Sequence, residues 1–250
     1  MDLLLPGRFA DPVTASGYFR TVFDQVASGE RSATISITPS TRHVGVTRRD
    51  TFRPGFRDAV RTANEEGYPV LVRSSGGGAT AADTGTFGFS IIRPVQEELG
   101  RGIPERYDEA AALVLGAFSR VGLRDAEVGE VRDEFCPGDH SVRVGGWEGG
   151  MKLCGIAQRV TRRATSVGGI VLVEGEEELA RILARFYAAL QLPFRPGSVG
   201  SARRAGNGAP VESFIEAFAA EAEDRYDAKR VPLDDETVAL ARQNGSAHLV

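Results

Sequence analysis

The chain is short of several residue types at once. In 250 residues it has two cysteines (Cys136, Cys154), two lysines (Lys152, Lys229), three histidines, two methionines and one tryptophan. Two cysteines exclude a disulfide scaffold. They also cannot complete a zinc site without His43, His140 or His248, so no metal is expected. No run of about 18 apolar residues is present, which excludes a transmembrane helix. Met1–Pro6 has neither a basic n-region nor a long apolar h-region, so the expectation is a cytoplasmic protein without a membrane partner. An excess of positive charge is missing too: the formal net charge is −4, against a nucleic-acid partner.

What is present describes a globular protein, with 42% hydrophobic, 26% charged and 8% aromatic residues. That is enough apolar material for a sizeable core, and no repeat of 20–50 residues is visible. Of the 30 basic residues, all but Lys152 and Lys229 are arginines. A lysine is therefore a rarity here, and unlike arginine it is a compact charge with a tunable pKa.

Periodicity supplies a coarse map. Helices are expected over Tyr18–Val26, Phe56–Glu66, Glu105–Val121, Leu179–Leu190 and Val211–Tyr226. Strands are expected at Thr34–Thr38, His43–Val46, Val70–Arg73, Phe87–Ile92, Val128–Val131, Ser141–Val144, Met151–Gln158 and Ile170–Val173. The glycine turn at Gly145–Gly150 joins two of these strands into a hairpin. Strands and helices mix without strict βαβ alternation, which predicts an α+β fold, a mixed, mostly antiparallel sheet with flanking helices. One domain is read over residues 1–232, and the polar residues 233–250 as a flexible C-terminal tail.

Three segments carry chemistry. In Arg73-Ser74-Ser75-Gly76-Gly77-Gly78-Ala79, three glycines let a backbone approach a ligand closely and turn its N–H groups to an anion or carbonyl. The segment fits neither a P-loop nor a dinucleotide fingerprint, and a plain flexible turn is the alternative. In Glu134-Phe135-Cys136-Pro137-Gly138-Asp139-His140, proline holds the cysteine extended and glycine permits a tight turn. Cys136 is then either a reachable thiol or a small buried hydrophobe. In Gly150–Arg159, strand alternation places Lys152, Cys154 and Ile156 on one face and Leu153 and Gly155 on the other. Lys152 is either a site residue or a snorkelling surface lysine, and Cys154 reads as packing.

Together these segments resemble the lipoate–protein ligase/octanoyltransferase family, which is related to the catalytic domain of biotin ligases. The Arg73–Phe89 stretch is similar to the family's glycine loop followed by Asp83, Gly85, Phe87, Phe89 and Ser90. Lys152–Arg159 is similar to its lysine strand. The Cys136-Pro137-Gly138 loop and Arg195–Ser201 resemble the lipoyl amidotransferase branch, and the likeness runs from Thr34 to Tyr226. Two features depart from the ligases: alanine stands at Ala82, before Asp83, where they carry histidine, and an accessory domain of normal size is not expected within 250 residues.

The resemblance implies an acyltransferase that passes an octanoyl or lipoyl group between carrier proteins, namely glycine cleavage H protein and the lipoyl domains of 2-oxoacid dehydrogenases. Cys136 would be the nucleophile. Lys152 would place its ammonium at the oxyanion. Arg73, Ser75, Gly76, Gly77, Gly78, Asp83, Gly155 and Ala157 would bind substrate, with Arg73 and Asp83 holding the glycine loop and Phe87, Phe89 and Ile156 walling the acyl tunnel. His140 would be a base or a loop histidine without a role. Arg159, Arg162, Arg163, Arg203 and Arg204 would dock the carrier or form a solvated face. No cofactor is required on this reading. ATP and Mg²⁺ enter only if the chain is an ATP-dependent ligase, and a non-catalytic carrier-binding relative is the third possibility.

Overall fold

The computed structural model describes residues 1–95, 100–245 and 249–250; His248 lies outside them. The elements in order are β1 (Asp2–Leu4), α1 (Pro12–Ser28), β2 (Thr34–Pro39), β3 (His43–Val46), α2 (Phe56–Glu65), β4 (Val70–Val72), β5 (Thr80–Ala82), β6 (Thr86–Pro94) and α3 (Ile103–Arg120). They continue with β7 (Glu127–Val128), β8 (Val142–Val144), β9 (Met151–Val160), β10 (Ala164–Leu172), α4 (Glu176–Ala189), α5 (Val211–Tyr226), β11 (Lys229–Val231) and α6 (Asp235–Gly245). Eight strands form one sheet in the order β11-β1-β2-β6-β10-β9-β8-β7, and β4-β3-β5 form a second. In the large sheet β1 runs parallel to β2 and β11, and every other pairing is antiparallel. The α+β class expected from the sequence is the one observed.

Strand alternation divides the large sheet into two unlike faces. Leu3, Ile35, Ile37, Phe87, Phe89, Ile91, Val167 and Val171 point to one side and make the main core with Leu113, Phe118, Phe214 and Phe218 of α3 and α5. Their neighbours Leu4 and Ile92 pack on the other side with Tyr18, Val22, Phe23 and Val26 of α1. The small sheet shares a third cluster with α2 and α4. On the α1 face, several strand positions carry side chains too small to fill the gap: Gly88 and Ser90 on β6, Gly155 and Ala157 on β9, Ser166 and Gly168 on β10. Burying apolar surface here is incomplete by design of the sequence, and a cavity results.

α1 begins at Asp11, whose carboxylate accepts the Thr14 N–H at 2.7 Å, and stops at Gly29 in the left-handed region. The residues expected to fray after Pro232 instead form α6. Its Ala241 carbonyl lies where a Cβ on Gly17 would fall, so the two helices meet backbone to backbone. Its apolar stripe is only Thr237, Ala241 and Gly245, too weak in hydrophobicity to register as a helix signal. Residues 129–131 are not strand, and β10 starts at Ala164, earlier than its apolar run. No helix among the described residues is long and apolar enough to cross a membrane.

Candidate active site

Cys136 lies in the long connection between β7 and β8, half-buried, with φ +44°. A left-handed backbone in a non-glycine residue is strained by about 1–2 kcal/mol and persists only where its surroundings impose it. Here both sides of the residue are gripped. Its N–H donates to the Tyr187 hydroxyl at 2.7 Å, and that hydroxyl donates to the Ala79 carbonyl at 2.8 Å. Its carbonyl accepts from Lys152 Nζ at 2.9 Å. Tyr187 therefore ties the cysteine to the end of the glycine loop, a role the sequence does not disclose. On the apolar stripe of α4 it reads as core, and burial does push its hydroxyl pKa up.

The glycine loop meets the thiol directly. Gly78 N–H and Arg73 Nη2 each stand 3.2 Å from Cys136 Sγ. Arg73 also donates from Nη2 to the Gly78 carbonyl at 2.7 Å and from Nη1 to Ser75 Oγ at 2.9 Å, so it does hold the loop as expected. Its Nε–H is buried without a partner among the described residues. Gly77, at φ +106°, has no room for a side chain: a Cβ would fall 2.5 Å from Cys136 Sγ and 2.8 Å from Arg73 Nη2. Gly76 is different, with nothing within 4 Å of such a Cβ.

Lys152 is fully buried, but not where strand alternation puts it. β8 and β9 pair Val142 with Cys154 and Arg143 with Lys152, so β9 carries one extra residue at Leu153. This bulge turns Lys152 to the face of Gly155 and Ala157, away from Cys154; a Cβ on Gly155 would stand 2.9 Å from Lys152 Cε. The ammonium donates three hydrogen bonds, each 2.9 Å long, to Glu134 Oε1, Phe135 O and Cys136 O. An ammonium has three protons, and all are used. Glu134 is equally enclosed: Ser141 Oγ donates to Oε1 at 2.5 Å and Val131 N–H to Oε2 at 3.0 Å. The expected place of Lys152, at an oxyanion, is thus taken by main-chain carbonyls and a buried carboxylate. Glu134 escaped the sequence reading because an acid beside a cysteine loop carries no spacing signal.

A cavity of about 270 Å³ opens beside the thiol. That is near the small end of ligand pockets, which start around 300 Å³. Arg73, Ser75 and Cys136 line it, with Gly155, Ala157 and Gly168 on the sheet and Phe19 and Phe23 from α1. Phe89 and Ile156 are also among the residues in its wall, although the Phe89 side chain points to the main core, against Phe218 at 5.5 Å. Phe87 is not: it is fully buried in the main core, edge-on to Phe218 at 5.0 Å. Nor are Gly76, Gly77 and Gly78 among the lining residues, since Gly77 and Gly78 face the sulfur. Three buried polar atoms of residues in the wall have no partner among the described residues: Thr41 Oγ1, Arg73 Nε and Ser90 Oγ. His43 Nδ1 donates to the Thr41 carbonyl at 2.8 Å, and burial holds this imidazole's pKa below its usual value.

Other expected residues lie apart from the thiol. Asp83 Oδ1 accepts the Gly85 N–H at 2.9 Å and sits against Gly175, so it builds the β5–β6 turn and not the glycine loop. His140 stacks on Tyr107 at 4.4 Å, with Nε2 3.7 Å from Asp108 Oδ1, so its ring is engaged by α3. Cys154 is fully enclosed, and desolvation pushes its thiol up to about 12. Among the described residues, no three His, Cys, Asp or Glu side chains gather as a metal-binding set.

The chain is 31% identical over 163 residues to the octanoyl-[GcvH]:protein N-octanoyltransferase of Geobacillus kaustophilus, covering 65% of this chain and 56% of the relative. It is 32% identical over 170 residues to the protein of that name from Bacillus velezensis, covering 68% and 57%. The matched part is thus a little over half the length of these relatives. A lipoate-protein ligase A bound with ATP has the same fold, with a TM-score of 0.76 at 17% identity, covering 98% of this chain and 94% of the ligase. Residues 11–223 match the model of the lipoyl protein ligase A/B catalytic domain, and the chain belongs to that family.

Proposed function

We propose that this chain moves an octanoyl or lipoyl group from one carrier protein to another through a thioester on Cys136. The observation that carries the reading is a half-exposed thiol in the wall of an apolar-floored cavity, held by one amide N–H and one guanidinium. In the first half-reaction Cys136 Sγ bonds to the acyl carbon, the carbon–nitrogen bond to the donor's lysine breaks, and the thiol's proton ends on the departing amine. In the second, an amine from the acceptor attacks the thioester and the proton returns to sulfur. Splitting one amide exchange in two lowers the barrier of each part. Each CH₂ of the chain buried in the cavity contributes about 0.8 kcal/mol to holding it.

Lys152 and Glu134 serve this chemistry by fixing the cysteine loop. The carriers are glycine cleavage H protein, whose abbreviation appears in the names of the relatives, and lipoyl domains. No cofactor takes part. The arginines expected to dock a carrier are partly committed: Arg203 pairs with Glu174, Arg204 donates to Val199 O at 2.8 Å, and Arg159 covers the Phe23 ring at 4.0 Å. Arg162 and Arg163 are the remaining ones.

Intact mass after incubation with an octanoylated carrier domain tests the proposal. A gain of one octanoyl group that Cys136→Ala abolishes supports it. No adduct, together with ATP-dependent pyrophosphate release when lipoate is added, would replace it by the ligase reading. Carrier binding with neither adduct nor pyrophosphate would leave a non-catalytic binder.

A further inference from the structure

Two cations approach the cysteine loop, and their hydrogen bonds separate what each can do. Lys152 has no proton left, and withdrawing it would strand the Glu134 carboxylate, which is 1% exposed. Arg73 is in the opposite condition. A guanidinium carries five N–H groups in a fixed fork. One of them already stands 3.2 Å from the sulfur, and the Nε–H is buried with no partner. The Gly78 N–H, also 3.2 Å from the sulfur, has no other acceptor among the described residues. The bare Cα of Gly77 keeps the space between sulfur and guanidinium open.

We propose that the Arg73 guanidinium and the Gly78 amide form the cradle for the acyl oxyanion, and that Lys152 is a positioning residue that never touches the reacting atoms. This rests on the reading of Cys136 as the acylated residue. When Sγ bonds to the acyl carbon, the carbonyl's π pair moves to oxygen. That oxygen develops within reach of the donors that point at the free thiol. They exchange sulfur for oxygen, and the unspent Nε–H is available to follow the charge. Collapse returns the pair to the carbonyl as the bond to the leaving group breaks. Donors fixed before the reaction starts need no reorganisation, which is why such cradles act strongly.

The test follows one thiol by two reactions. Acylation by p-nitrophenyl octanoate, read as a p-nitrophenol burst, builds an oxyanion. Alkylation by iodoacetamide displaces iodide at a saturated carbon and builds none. Arg73→Met is expected to slow the burst about 10²–10³-fold and alkylation by less than about tenfold. Arg73→Lys keeps the charge but loses the fork; alkylation is expected near the native rate, with the burst still down more than about tenfold. The Lys152→Met, Glu134→Gln pair, which disturbs only the loop's support, is expected to lower both reactions by the same factor. Equal losses of both reactions in the two Arg73 variants, or a selective loss of the burst in the lysine–glutamate pair, would overturn the cradle. A native protein that alkylates at Cys136 but gives no burst would overturn the acyl-enzyme reading itself, and the cradle with it.

Discussion

Replacing Gly77 by alanine isolates the contact between the glycine loop and the thiol. The added Cβ would lie 2.5 Å from Cys136 Sγ, and ordinary contact begins at 3.4 Å, so the two must separate by about 0.9 Å. A shift of about 1 Å at a reacting group costs on the order of 10²-fold in rate. Because φ is +106°, alanine is also strained there by about 1–3 kcal/mol. For a chain of this size each kcal/mol lowers Tm by roughly 2–4 °C, so a fall of roughly 2–12 °C is expected. Gly76→Ala is the internal control, with an open site, no positive φ, and therefore native stability and rate. Calorimetry gives the first quantity, and the p-nitrophenyl octanoate burst or octanoyl uptake by mass gives the second. Gly77→Ala within about threefold of the native rate would refute the steric reasoning. So would a Gly76→Ala defect of the same size, because the loop would then matter only as a flexible whole.

Further expectations follow from the same contacts. Lys152→Met alone leaves Glu134 charged and buried, at a cost of about 3–5 kcal/mol, and adding Glu134→Gln recovers much of it in thermal melts. Tyr187→Phe leaves the Cys136 N–H without its acceptor, a loss of about 1–3 kcal/mol that urea unfolding measures; octanoyl uptake falls with it as the thiol loses its fixed place. At pH 8 iodoacetamide labels one cysteine per chain, Cys136, since Cys154 is buried and pushed up to about 12; two labels on folded protein would contradict that. Burial makes folded His43 take up a proton less readily than the unfolded chain, which is protonated first as pH falls through about 6.5. Its contribution to stability is therefore present above that pH and lost below it, and His43→Gln flattens melting curves compared between pH 7 and 5.

Much of the fold is legible in the sequence because most elements bury a regular stripe. β3 and α5 begin and end where periodicity puts them, and β2, β6, α2 and α4 differ by one to three residues at either end. The elements that escape are those that owe their existence to partners. β1, β5 and β11 are three residues each, without a stripe of their own, and form only because β2, β3 and β1 respectively offer them edges. α6 has a narrow stripe of small residues, whose value is close backbone approach to Gly17 and not apolar area.

The candidate site divides along the same line. Cys136, Arg73 and the triple glycine stand out as residue types in a pattern, and the fold does bring them together around one sulfur. What the sequence conceals is the direction of each side chain. Strict alternation points Lys152 the same way as Cys154; one bulged residue turns it to the cavity face, where two carbonyls and Glu134 absorb its charge. A period-2 reading cannot see such a bulge, because the extra residue is defined only by the partner strand's register. The scarcity of lysine in this chain marks a position where arginine would not serve, and the geometry supplies the reason. A single compact ammonium can satisfy three converging acceptors in a closed space, whereas a planar fork cannot. The residue that needs a fork, beside the thiol and open to the cavity, is arginine.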